Sequence, residues 1–337
     1  MATLKDIADA AGVSMMTVSN VINGNYKKVS AKKKKLILDL IEEYQYVPNL
    51  SARSLTSKSS KIIGIILSSG NPQENFFTNP YTSELFGEIE TLLREKGYYI
   101  IVSTSQNIDD ASTLSKNWNV DGVIFLTHQD SSSMQKILSN SKCPMVFIDS
   151  NDPSASALTI GIDDFKGGYT ATKYLIHRGH KKIAFAGYYS DENAIIFQRH
   201  QGYLAALKEA GIPYSEQLLI NTFTRYEDGI IIGRDIANNK YDITAVFTTA
   251  DILAVGIIEG AKLNGCIVPN DLSVVGFDNL KLCSYVTPKL TTISQNVHQK
   301  ASAAVDLLMD AIDDESIRNK AVILDVQLEE RQSVLHV

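Results

Sequence analysis

Cysteine is scarce in this chain. Cys143, Cys266 and Cys283 stand far apart, odd in number and without C-x-x-C spacing, which argues against a disulfide framework and against a structural zinc site. Reduced, buried thiols are the reading that remains. There is one Trp, and Pro and Gly number 8 and 20, so collagen-like and low-complexity classes fall away. No apolar run approaches the ~20 residues that a membrane span needs. The start, with Lys5, Asp6 and Asp9, lacks the uninterrupted apolar stretch of a secretory signal, so a cytoplasmic chain is expected. Catalytic motifs are missing too: there is no G-x-x-x-x-G-K-[ST] loop, no G-x-G-x-x-G after a strand, no G-x-S-x-G elbow and no H-E-x-x-H helix. His177 and His180 lie three apart at a helix end, where positive charge suits the dipole, and this favours capping or a surface role over metal ligation. No catalytic residue, metal or cofactor is therefore expected. What the chain does have is 337 residues with 44% hydrophobic content, enough for two or three domains at about 150 residues each.

Charge divides the chain unevenly. Residues 1–61 hold ten Lys and Arg against five Asp and Glu, whereas the remainder holds 22 against 33. A small basic head on a large acidic body points to a polyanion partner for the head, although Lys32 to Lys35 taken alone would equally suit the solvated face of a helix. The head reads as three short helices. Thr3 can cap a first helix with Leu4, Ile7, Ala8 and Ala11 at helical spacing, ended by Gly12. Ser14 caps a second, about 15–22, with Val18, Val21 and Ile22 inward and Met15, Met16, Thr17 and Asn20 on the other side. Ser30 caps a third, in which Leu36, Ile37, Leu40, Ile41 and Tyr44 form one apolar stripe that stops before Pro48. Two short helices joined through Gly12-Val13-Ser14 meet the requirement of a helix-turn-helix, whose second helix must project from a small scaffold into a major groove.

Thr3-Leu4-Lys5-Asp6-Ile7-Ala8, Ala11-Gly12-Val13-Ser14, Thr17-Val18-Ser19 and Val21-Ile22-Asn23 closely resemble the headpiece of the LacI/GalR family of transcription regulators. Tyr46-Val47-Pro48-Asn49 and Ala52-Arg53-Ser54-Leu55 resemble that family's hinge, which folds into a short helix on operator DNA. The resemblance makes Leu55 an apolar wedge in the minor groove; as a bare residue it could equally be a linker or core leucine. It also implies base reading by Met15, Met16 and Asn20. Asn20 can pair bidentately with adenine, whereas the methionines offer only apolar contact, a departure from members with polar side chains there. Ser14, Thr17, Ser19 and nearby lysines would hold phosphates. With Thr3, Asn23, Asn49, Ala52 and Arg53, these residues form the expected DNA-binding set.

From residue 61 onward, strand-like runs at 62–67, 99–103, 122–126, 145–149, 182–187, 244–248 and 273–278 alternate with helical stretches at 83–96, 167–178, 202–210, 252–263 and 297–311. Such alternation implies parallel sheets with helices on both faces, and the length allows two units. Arg178-Gly179-His180, the 199–203 segment, Val274-Val275-Gly276-Phe277-Asp278-Asn279 and the 287–293 segment resemble the type I periplasmic-binding-protein fold of LacI/GalR effector domains, a pair of subdomains with a ligand cleft between them. The expected fold class is thus an all-α helix-turn-helix headpiece plus an α/β domain of two subdomains with parallel sheets. The expected boundaries are 1–48 for the headpiece, 49–60 for the hinge and 61–337 for the effector and dimerisation domain. Within the latter, the first subdomain takes about 61–162 and 293–320, and the second about 163–292 and 321–337.

Open parallel sheets bind ligands beyond the carboxyl ends of their strands, where Asp149, Asp251 and Asp278 lie; strand-end Asp residues also cap helices. Paired hydrogen bonds from a guanidinium or carboxylate within an apolar cleft suit a polyol. The resemblance adds Arg199 and Asp278 as the effector grip, Tyr81 as a pocket aromatic and Phe223, or its neighbour Thr224, as a further ring position. Ala250 stands where some sugar-binding relatives carry an amide. The effector-binding set expected is therefore Tyr81, Asp149, Arg199, Phe223, Asp251 and Asp278. The sequence thus points to a homodimeric repressor of a carbohydrate-utilisation operon, with operator DNA and a small sugar-like effector as partners. A sugar-binding receptor without a regulatory role would explain the body but leave the basic head without a use.

Overall fold

The computed structural model describes residues 2–22, 24–26, 29–46, 59–68, 76–105, 117–126, 131–141, 143–150, 156–189 and 194–337. The chain divides into two compact units, Met1–Ser60 and Lys61–Val337.

The first unit holds helices α1 (Leu4–Ala11), α2 (Met15–Ile22) and α3 (Ala31–Glu43). A reciprocal cap opens α1: the Asp6 N–H donates to the Thr3 hydroxyl, while the Asp6 carboxylate accepts from the Thr3 N–H at 2.7 Å, satisfying amide donors that a helix start leaves unpaired. Gly12, at φ 62°, turns the chain out of α1, a left-handed conformation that costs glycine no steric penalty. The Ser14 hydroxyl then accepts from the Thr17 N–H at 3.2 Å. Ile7, Ala8, Val18, Val21 and Ile37 close a small core. Leu36 and Tyr44, read from sequence as part of the apolar stripe of α3, are instead 44% and 43% exposed, because α1 and α2, eight residues each, cover only the face of α3 centred on Ile37.

The second unit contains two six-stranded sheets. Its elements are β1 (Ile62–Ser68), α4 (Pro80–Glu95), β2 (Tyr99–Ser105), β3 (Gly122–Phe125), α5 (Ser131–Ser139), β4 (Met145–Ile148), β5 (Leu158–Ile162), α6 (Asp164–His177), β6 (Ile183–Gly187), α7 (Ala194–Glu209), β7 (Leu219–Asn221), α8 (Tyr226–Ala237), β8 (Ala245–Thr248), α9 (Asp251–Leu263), β9 (Ser273–Asp278), β10 (Thr291–Ser294), α10 (Val297–Asp313), β11 (Lys320–Leu324) and β12 (Gln327–Glu329). The first sheet runs β11-β5-β4-β3-β1-β2 and the second β12-β10-β9-β8-β6-β7. All pairings are parallel except β10 with β12.

Both faces of each sheet are covered, as parallel sheets require. Along β1, Ile63, Ile65 and Leu67 face α4 and α10, while Ile66 joins Phe125, Phe147 and Met134 on the opposite face. In the second sheet one face packs on α8 and α9 and the other on α6 and α7. The chain passes between sheets three times. It leaves the first after β5, returns between β10 and α10, and leaves again between β11 and β12. β10 pairs with β9 through Ser294 and β11 as a whole pairs with β5, so the second and third crossings follow Ser294 and Leu324, within a few residues of the approximate positions expected. A strand is placed by its ladder, and β10 and β11 each complete theirs before the chain turns.

Candidate functional site

The strand ends of the second unit converge on a cavity of about 160 Å³, close to the 150 Å³ that accommodates one six-membered ring. From the first half come Asn79, Tyr81 and Asp149. From the second come Arg199, Thr224, Thr249, Ala250, Asp278 and Leu280, and Gln295 enters from the second crossing. Asn79 caps α4 by accepting from the Tyr81 N–H at 2.9 Å, which fixes Tyr81 in the first turn. Asp149 and Asp278 leave β4 and β9 at φ 59° and 118°, conformations that non-glycine residues seldom adopt and that concentrate at functional sites.

A continuous polar chain lines one wall. The Tyr81 hydroxyl donates to Asp149 Oδ2 at 2.6 Å. Lys300 Nζ donates to Asp149 Oδ1 at 2.6 Å, to the Tyr81 oxygen at 3.0 Å and to Gln295 Oε1. Gln295 Nε2 in turn donates to Asp278 Oδ1 at 2.6 Å. Burial alone would push the Asp149 carboxyl up, yet the Lys300 charge and the Lys300 and Tyr81 hydrogen bonds hold it below the usual range. Asp278 behaves oppositely: burial and the neighbouring Asp251 charge raise its carboxyl well above that range. The Tyr81 phenol is raised well above 10 by burial and by Asp149. Asp278 has only Oδ1 engaged by protein among the described residues.

Arg199 is held from behind. Its Nε donates to Asp164 Oδ1 at 2.8 Å and its Nη1 to the Thr249 carbonyl at 2.7 Å. The guanidinium lies 3.5 Å from the centre of the Phe277 ring, a cation–π contact, and Nη2 is the guanidinium nitrogen with no protein acceptor among the described residues.

Two residues of the expected effector set lie elsewhere. Asp251 is fully buried, and its carboxylate accepts from the Thr292 hydroxyl at 2.5 Å, the Leu280 N–H at 2.9 Å and the Cys283 thiol at 2.9 Å. With three donors on its two oxygens it knits α9 to the loop after β9 and does not line the cavity. Phe223 is 53% exposed and stacks on Tyr188 at 5.2 Å and 9°. With that ring turned outward, Thr224 is the residue that lines the cavity. Sequence reasoning missed Gln295, Lys300 and Asp164. Lys300 had a legible signal, since it occupies the stripe of Val297, Ala301, Ala304, Val305 and Leu308 that α10 buries. As for the two histidines, His180 Nδ1 is bonded to the Thr244 hydroxyl at 2.9 Å.

In the first unit, Met15 and Met16 project from α2, 52% and 74% exposed, with Val18 and Val21 beneath them. Thr3 and Ser14 are engaged as caps; Thr17 and Asn20 are partly exposed, and Ser19 is hydrogen-bonded or otherwise paired. Asn23, Asn49, Ala52, Arg53 and Leu55 lie outside the described residues.

A helix-turn-helix unit followed by two parallel-sheet layers with a ring-sized polar cavity defines the class of effector-binding DNA regulators. Comparison with known proteins gives the family: residues 3–49 match the bacterial regulatory proteins of the lacI family, and residues 172–334 match a periplasmic binding protein-like domain. Catabolite control protein A of Priestia megaterium is 33% identical, covering 98% of each chain. The HTH-type transcriptional repressor PurR of Pasteurella multocida is 33% identical, covering 99% of each. Among solved structures, a lac repressor dimer bound to operator and an anti-inducer superposes with a TM-score of 0.85 at 25% identity, covering 99% of each chain. A complex of the regulator CelR with cellobiose gives 0.72 at 27%, covering 99% of this chain and 100% of that one. The chain belongs to the lacI family: it is a DNA-binding transcriptional regulator with an effector-binding domain, and not an enzyme. Among the described residues no helix is long and apolar enough to cross a membrane.

Proposed function

We propose that this regulator is a cytoplasmic repressor that binds a near-palindromic operator as a homodimer, one headpiece per half-site, and responds to a polyol of monosaccharide size held in the cavity. The observation that carries the effector reading is the pairing of Arg199 Nη2 with the second carboxylate oxygen of Asp278: a donor and an acceptor, both short of protein partners, face a cavity of about 160 Å³. Vicinal hydroxyls complement such a pair, each able to donate and accept. Tyr81 offers its ring from the opposite half, and Thr224 and Gln295 complete the polar rim. Relatives crystallised with cellobiose and with ribose are consistent with a sugar, and the cavity volume favours one ring over two. Two-fold operator symmetry is the reason for a dimer. On the DNA side the reading assigns base contact to Met15, Met16 and Asn20, phosphate contact to Ser14, Thr17 and Ser19, and the minor-groove wedge to Leu55.

The test is fluorescence anisotropy of the full chain on the DNA upstream of its own gene and on a scrambled duplex, with D-ribose, D-glucose, cellobiose and hypoxanthine each added in turn. The expected result is preferential binding to the upstream DNA that one monosaccharide shifts. A shift by hypoxanthine alone would replace the polyol by a planar heterocycle, and a shift by cellobiose alone would contradict the one-ring volume. Equal binding to both duplexes under every condition would remove the assigned operator.

A further inference from the structure

We propose that Lys300 is a positioning residue that determines effector specificity: it withdraws Asp149 from the effector, so that polar recognition falls on the Arg199 and Asp278 side of the cavity. This rests on the cavity being the effector site.

Lys300 is fully buried in the first turns of α10. That is an adverse place for a cation, because the exposed N–H groups of a helix start already carry partial positive charge. An ammonium has three donors and no acceptor, and all three are spent: on Asp149 Oδ1, the Tyr81 oxygen and Gln295 Oε1. Asp149 is correspondingly engaged on both oxygens, Oδ1 by Lys300 and Oδ2 by the Tyr81 hydroxyl. A buried carboxylate turned toward a ligand would select a hydrogen-bond donor there; one whose charge is met by an ammonium and whose two oxygens already accept from protein does so more weakly. The Tyr81 hydroxyl is committed in the same way, so this residue presents chiefly its ring. The first half of the cavity is thereby specialised for shape and apolar contact, and the second half for donor–acceptor pairs. The effector class that fits is a ring with adjacent donor and acceptor groups on one edge and a tolerant opposite edge.

The experiment measures the apparent affinity of D-ribose and D-glucose, read by operator anisotropy, for the wild-type full chain, Lys300→Met and Lys300→Met with Asp149→Asn. Removing the ammonium alone frees a carboxylate into the cavity that can accept from a ring hydroxyl, and a change of at least tenfold in apparent affinity, unequal between D-ribose and D-glucose, is expected. Neutralising Asp149 as well is expected to restore the affinity to within about threefold. A double variant that binds operator but stays as altered as Lys300→Met would overturn the proposal, because the freed Asp149 carboxylate would then not be the cause. Should Lys300→Met fail to fold, the double variant against wild type decides on the same threefold criterion. If neither sugar shifts the wild type, the monosaccharide reading fails by itself. The Lys300 assignment is then decided by NMR of ¹⁵N-lysine-labelled chain. A slowly exchanging ammonium signal that disappears in the double variant supports it, and rapid exchange at Lys300 overturns it.

Discussion

Arg199 has a buried structural partner beside the effector contact proposed for it, and a single substitution confounds the two. Its pair with Asp164 is buried on both sides, at 8% and 5% side-chain exposure, and burial pushes the Asp164 carboxyl up even as Arg199 draws it down. Arg199→Ala therefore strands a buried carboxylate and is expected to cost about 3–5 kcal/mol of stability, measured by urea unfolding. Adding Asp164→Asn should recover most of that loss without recovering the effector response; recovery of both would show that Arg199 acts only as scaffold. Asp251 makes a pH prediction. Burial, against the hydrogen bonds of Cys283, Thr292 and Leu280, raises its carboxyl to about 6, above the unfolded value of about 3.9. Between those values the folded chain holds a proton that the unfolded chain has released, so this group's contribution is complete below about pH 4 and is lost as pH rises through 6. The stability advantage of wild type over Asp251→Asn should accordingly shrink by about 2–3 kcal/mol from pH 4 to pH 7. A constant difference would mean that Asp251 folds ionised.

At the scale of elements, the site depends on how closely α6 and α7 approach, since α7 delivers Arg199. A side chain on Gly202 would stand 2.0 Å from the Phe165 carbonyl oxygen, and one on Gly168 would stand 1.9 Å from that of Arg199 itself. Backbone cannot yield as a flexible side chain does, so Gly202→Ala must separate the helices. A loss of about 1–3 kcal/mol or more is expected, with a weakened effector response because Arg199 moves with its helix. Gly87→Ala is the control: nothing lies within 4 Å of that position in α4, and a helical interior favours alanine by up to about 1 kcal/mol. Thermal unfolding of the two variants should shift in opposite directions, and a neutral Gly202→Ala would deny the close packing. The same closeness limits what the sequence discloses. The interior strands β1, β3, β4, β6, β8 and β9 were legible because burial on both faces makes them continuous apolar runs, whereas β5 and β10, also interior and buried, were not anticipated because Thr and Gly or Ser break their short runs. Short edge strands β7 and β12, and β11 with its half-exposed alternation, carry no such run and were not anticipated. Helix α7 was recognised only from residue 202, since its opening turns are committed to the cavity rather than to a regular apolar stripe. At the site, strand-end position pointed to Asp149 and Asp278, but position could not reveal which way a side chain turns. That is why Asp251 and Phe223 were expected in a cavity they do not line.

For the whole molecule the division of charge matters most: ten basic against five acidic residues in 1–61, and 22 against 33 in the rest. Attraction to DNA then resides in the head, and each phosphate neutralised contributes about −0.9 to the slope of log affinity against log salt. Effector control is a different quantity, a coupling free energy typically of 1–3 kcal/mol, or about 5 to 150-fold in operator affinity. If the effector acts by biasing how two headpieces engage their half-sites, the same phosphates are contacted with and without it whenever the operator is bound. The salt slope should then stay constant while the affinity shifts by the coupling factor at every salt concentration. If it acts instead by detaching one headpiece, phosphate contacts are lost and the slope should fall toward half. Anisotropy titrations of the full chain on its operator across a salt series, with and without the responding sugar, separate the two. Parallel lines are expected, because the Met15 and Met16 surface proposed for base contact is uncharged and exposed and can lose its fit without altering the phosphate count. Met16→Ala offers an internal check: it should reduce discrimination between operator and scrambled duplex by about 1–3 kcal/mol and leave the slope where it was, whereas Lys33→Ala should change the slope by about one unit with discrimination retained.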